Sequence, residues 1–156
     1  MPILNQIKTD FQQALKRRQT LKVATLRMLM AALNDERSAL YGSQDKQLAD
    51  EQTVVIIRRE TKKRREAIAL YNQGKRPELA AKEAQEIKFL EQYLPAQMPE
   101  SEVTKITQRV IAQLGAQGPA VFGKVMGVVM GQLNGQADGK QVAETVKRSL
   151  NTTNFK

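Results

Sequence analysis

Cysteine, histidine and tryptophan are all missing from the 156 residues. The lack of cysteine excludes disulfides, thiol catalysis and Cys-based zinc or iron–sulfur centres. The lack of histidine removes the usual general base and leaves any transition metal to carboxylates and carbonyls. Only four Phe and three Tyr are present, so single-stranded bases would find few side chains to stack on. No apolar run approaches the ~20 residues of a membrane span, and the N-terminal residues contain no continuous signal-peptide core. The expectation is a soluble, cytoplasmic protein with no membrane partner. No Ser-Lys arrangement stands in a credible catalytic setting and no carboxylate cluster resembles a two-metal site, so no catalytic residue, metal or cofactor is assigned.

Positive charge is abundant. Lys and Arg number 25 against 16 Asp and Glu, a formal net charge of +9. Such an excess favours phosphate or carboxylate surfaces through long-range attraction and counterion release. Both halves of the chain are basic, but the dense patch is Arg58-Arg59-Glu60-Thr61-Lys62-Lys63-Arg64-Arg65 in the first.

The hydrophobic spacing predicts an all-α chain. Leu4, Ile7, Phe11 and Leu15 mark a helix over 3–17, with cations in its last turn to suit the dipole. Thr20 is placed as the cap of a second helix running to about residue 40, whose broad apolar stripe takes in Leu21, Thr25, Met28 and Ala32 with the neighbouring Leu26, Leu29 and Leu33. A third helix covers 50–72, opened by Asp50 and Glu51 and ended by Gly74. Pro77 fits the first position of a fourth, in which Glu83 lies awkwardly on the inward edge. Pro95 and Pro99 bound a stiff connection. The expected organisation is therefore a four-helix N-terminal domain over 1–94, a linker over 95–99 and a three-helix module over 100–150. In that module the sixth helix starts at or just before Pro119, and Asp138 with Gln141 forms a capping box for the seventh.

On a helical wheel of the third helix, Val54, Ile57, Thr61, Ile68 and Tyr71 share a core-facing sector. Arg58, Lys62 and Arg65 form the adjoining stripe, with Arg59 and Lys63 further round. Arg64 falls on the apolar flank, where its head can pair with Glu60 one turn back. The stripe suits the phosphates of a structured RNA, since Arg offers a planar fork and Lys a mobile point charge. It equally describes a solvated face laced by Glu60 to Arg64 and Lys62 to Glu66 pairs, or one that meets an acidic protein partner.

Gly123, Gly127 and Gly131 recur every fourth residue on one face of the sixth helix. Glycine in a helix costs up to ~1 kcal/mol, so a close approach is expected there, with a neighbouring helix favoured over an RNA backbone. The following Ser or Thr and the spacing of a phosphate loop are absent.

Several strings in order resemble the GatB/YqeY family along most of the chain. They are Arg64-Arg65-Glu66-Ala67-Ile68, Gly74-Lys75-Arg76, Leu79-Ala80-Ala81-Lys82-Glu83 and Tyr93-Leu94-Pro95-Ala96-Gln97 in the first half. Gly123-Lys124-Val125-Met126-Gly127 and Gly135-Gln136-Ala137-Asp138-Gly139-Lys140 follow in the second. The resemblance implies a helical N-terminal domain and a module similar to the tail of the B subunit of the tRNA-dependent amidotransferase. In that enzyme the tail contacts tRNA, while glutamine hydrolysis and amide transfer occur in other domains. The family label of a carbon–nitrogen ligase with glutamine as amido-N-donor would then describe the larger enzyme. Lys124, beside Gly123, and Lys140, beside the Asp138-Gly139 turn, are the tail residues expected to contact RNA, with Gly135 and Gly139 shaping the turn between helices and Asp138 acting as a cap. Three functions stand side by side: a non-catalytic tRNA- or RNA-binding accessory protein, a protein–protein adaptor with a cationic helix, and a glutamine-dependent amidotransferase.

Overall fold

The computed structural model describes residues 1–115, 118–133 and 136–153. Among them are seven α-helices, and the fold is all-α: α1 (Ile3–Lys16), α2 (Thr20–Tyr41), α3 (Asp50–Gln73), α4 (Pro77–Glu91), α5 (Glu100–Leu114), α6 (Phe122–Leu133) and α7 (Gly139–Thr153), with a 3-10 turn (Pro119–Val121) before α6. They form two compact units, Met1–Leu94 and Pro95–Lys156.

The first unit closes around Ile7, Leu26, Leu29, Leu33, Ile56, Ile57 and Leu90, each almost inaccessible to water. Leu48, in the connection between α2 and α3, turns inward to join them. Two long-range polar contacts fix α1. The Asp50 Oδ1 at the start of α3 accepts the Ile3 N–H at 2.9 Å. It thereby satisfies one of the free amides that every helix N-terminus leaves. The Tyr93 hydroxyl donates to Asp10 Oδ2 at 2.5 Å, tying the segment after α4 back to α1. Burial, with this carboxylate as a second cause, pushes the Tyr93 phenol well above its ordinary pKa.

The second unit packs Val103, Val110, Val125, Val129, Leu133, Val142, Val146 and Leu150 into its own core. Met98 packs on this core, and its N–H donates to Gln136 O at 2.7 Å. Both cores also bury threonine. The hydroxyls of Thr25, Thr53, Thr61, Thr107 and Thr145 each donate to the carbonyl four residues earlier. That local bond removes the cost of a buried, unsatisfied hydroxyl without needing a partner from another helix.

Several local expectations change. Thr20 is the first helical residue rather than the cap, which falls on Gln19 without a side-chain bond. Met28 and Leu15 face solvent, at 57% and 42% exposure, and Ala14 takes the inward position on α1. Gly74 is the C-cap of α3 but keeps a negative φ, and the left-handed conformation falls on Lys75, at φ 57°. Pro119 opens a 3-10 turn, and α6 begins only at Phe122.

Candidate nucleic-acid interface

α3 has 24 residues, and its sequence sorts them by face. Val54, Ile56, Ile57 and Thr61 are buried, while Arg59, Lys62, Lys63 and Arg65 are exposed and Arg58 is half-buried. The helix is long because strong helix formers fill its exposed side. It starts without a hydroxyl cap: Ala49 stands at the N-cap, and only the returning half of a capping box exists, with Gln52 Oε1 accepting the Ala49 N–H at 2.8 Å.

The cations divide into two groups. Arg64 is removed from the surface, at 5% exposure, and is held by three acceptors. Its Nη1 reaches Glu60 O at 3.0 Å and Glu60 Oε2 at 3.2 Å, and its Nε reaches Glu86 Oε2 on α4 at 3.1 Å. The expected pair with Glu60 forms, and Glu86, from the next helix, completes the clamp. Glu83, one turn before Glu86 on α4, is raised above its ordinary pKa first by burial and then by the repulsion of Glu86, with Arg64 opposing.

The other group faces water. Arg59 pairs with Glu36 of α2 at 3.6 Å, Lys63 with Glu60 at 3.1 Å and Arg65 with Glu91 at 3.0 Å. Among the described residues Lys62 has no ion pair within 4.0 Å, and the expected pair with Glu66 is not formed. The stripe is thus partly matched by acids of its own unit rather than uniformly bare.

In the second unit Lys124 and Lys140 are both exposed, and Asp138 directly precedes α7, its carbonyl accepting the Val142 N–H at 3.0 Å. Gly135 lies outside the described residues. Gly139 is the first residue of α7, and a Cβ there would meet only Met130 Cε at 4.0 Å. The expectation of helix packing on the glycine face is overturned. Gly123, Gly127 and Gly131 are exposed, and a Cβ on any of them would meet nothing within 4 Å beyond its own stretch of helix backbone. The helix contacts of α6 are made instead by Val125, Val129 and Leu133. These inward positions are offset by two residues from the glycines, or about 200° round the helix, so the spacing itself carried the signal.

Four of the seven aromatic rings are occupied as well. Cations lie over Phe89, Phe11, Tyr41 and Phe122, from Lys22, Arg27, Lys46 and Lys147 at 6.0, 5.8, 4.7 and 5.9 Å from the ring centres. Among the described residues no three acidic side chains are placed to hold a metal ion, and no helix is long and apolar enough to cross a membrane.

An all-helical, two-unit basic chain with an exposed cationic helix is the class that fold and site define. The family model for Yqey-like proteins matches residues 4–150, and the chain belongs to that family. No curated protein matches it.

Proposed function

We infer that the protein binds tRNA or another structured RNA as an accessory, without catalysing a reaction on it. The observation that carries this is the wet face of α3, where Arg59, Lys62, Lys63 and Arg65 stand together. Their acid partners do not consume them. Exposed ion pairs contribute only about 0–1 kcal/mol, so phosphate oxygens can replace Glu36 and Glu91 at small cost. Lys124 and Lys140 add exposed cations in the second unit, where the bare glycine face of α6 leaves the helix backbone accessible to a sugar-phosphate chain. With few aromatic rings in the chain, and Phe11, Tyr41, Phe89 and Phe122 already covered by its own cations, recognition would proceed through shape and phosphate contacts rather than stacking. The resemblance to the tRNA-contacting tail of the amidotransferase B subunit supports the same partner.

Fluorescence anisotropy with bulk tRNA, repeated from low to moderate salt, tests the proposal. The triple variant Arg59→Ala, Lys62→Ala, Lys63→Ala is expected to weaken binding about tenfold or more and to reduce the salt slope by about one per lost phosphate contact. Undetectable binding at low salt, or an unchanged affinity in the variant, overturns it. Ribonuclease-resistant capture of one stoichiometric acidic protein, without tRNA binding, would replace RNA by a protein partner. Ammonia release from glutamine by the purified chain would restore the amidotransferase.

A further inference from the structure

We propose that the first unit contains a separate binding cleft for a small amphipathic acid, an aliphatic chain ending in a carboxylate. The cleft lies between α1, α2 and the connection leading into α3, and its volume is about 380 Å³. Ligand pockets typically span about 300–1,000 Å³, so the space suits a short aliphatic chain.

Its chemistry is sorted. Leu4, Phe11, Met30, Leu33 and Leu48 supply an apolar wall, of which Leu33 and Leu48 belong to the buried core. An aliphatic chain laid there would make dispersion contacts with these side chains, and Met30 is flexible enough to adjust to its shape. The charged residues of the lining are Lys8 and Arg37, both cations, and no carboxylate lines the cleft. Arg37 is half-buried, and its Nη1 donates to Gln44 O at 3.2 Å, which fixes the guanidinium while leaving its other N–H groups available. Among the described residues neither Lys8 nor Arg37 has an acid within 4.0 Å.

A planar guanidinium beside an apolar wall recognises a carboxylate by paired, charge-assisted hydrogen bonds. The side-chain amides of Gln12, Asn34 and Gln47 complete the lining with groups that both donate and accept. A long-chain cation would meet two like charges and no counter-charge, and a neutral alcohol would leave the guanidinium uncompensated. The ligand class therefore follows from the lining: greasy at one end, anionic at the other.

Octanoate, octanol and octylamine, each titrated below its aggregation concentration into the full ¹⁵N-labelled chain, separate these cases by amide chemical-shift changes. Octanoate should shift the amides around Lys8, Phe11, Met30, Arg37 and Leu48 and bind about tenfold or more tighter than octanol, with octylamine weakest. Arg37→Gln should remove most of that tenfold preference while leaving octanol binding unchanged. Met30→Trp, which fills the cleft, should block both. Absence of shifts, shifts concentrated on other surfaces, equal affinity for octanoate and octanol, or an unaltered octanoate affinity in Arg37→Gln would each overturn the proposal. The α3 triple variant that tests RNA binding leaves Lys8 and Arg37 in place, so octanoate binding should persist in it; the two proposals stand or fall separately.

Discussion

The Nε of Arg64 on α3 donates to Glu86 Oε2 on α4 at 3.1 Å, with both side chains almost wholly buried. A cation in the middle of the basic run is thus a strut between helices, stabilised by a carboxylate 22 residues away.

Removing that cation alone leaves Glu86 buried without its counter-charge and Glu60 with only Lys63. Arg64→Met is expected to destabilise the first unit by about 3–5 kcal/mol, the usual cost of breaking a buried pair from one side. Adding Glu86→Gln should recover part of the loss. Urea unfolding followed by tyrosine fluorescence measures this unit selectively, because Tyr41, Tyr71 and Tyr93 all lie within it and the chain has no tryptophan. A cost in Arg64→Met no larger than that of an exposed pair would contradict the strut.

Glu83 supplies a pH dependence. Its folded-state pKa is raised above 4.5, chiefly by burial. The folded chain therefore holds this proton more tightly than the unfolded chain. Its contribution is favourable below about pH 4.5 and is lost as pH rises through the raised value. Glu83→Gln should be more stable than the parent at neutral pH, with the advantage shrinking as pH falls toward 4.5. Urea midpoints measured across that interval give the slope directly; a constant difference would contradict the assignment.

Lys75 adopts φ 57° just beyond α3, where the Arg76 N–H donates to Tyr71 O at 2.8 Å. The left-handed conformation costs a side-chain-bearing residue about 1 kcal/mol and glycine almost nothing. Lys75→Gly should therefore stabilise the first unit, by up to about 1 kcal/mol, despite the greater flexibility it gives the unfolded chain. Arg18, at φ 55° beyond α1, should respond the same way. Denaturation midpoints that fall in both variants would refute the account.

Ala49 cannot accept from the first-turn amides of α3. Ala49→Ser supplies the missing oxygen, and it should add about 1 kcal/mol because the backbone there is already extended, at φ −70° and ψ 162°. Thermal unfolding monitored by circular dichroism is sufficient to detect the shift.

Much of this architecture was legible in the residues. Helical periodicity located all seven helices to within a few positions, because apolar spacing and the prolines at 77, 95 and 99 act locally. The wheel of α3 also separated Thr61 and Arg64 from the outward cations. The sense of the glycine face is not legible in this way: a four-residue repeat defines a stripe but not the direction in which it points. The competing set Val125, Val129 and Leu133 decides that direction, since burying three large apolar side chains outweighs the close approach that glycine permits.

The sequence by itself determined the all-helical character, the basic balance and the concentration of cations on α3, since composition and short-range spacing suffice for each. Only the tertiary structure decided which cations remain available, because Glu36, Glu86 and Glu91 arrive from other helices, and loop closure rather than spacing along α3 brings them there. It also decided the cleft, whose walls come from three separate segments and exist only after those segments pack.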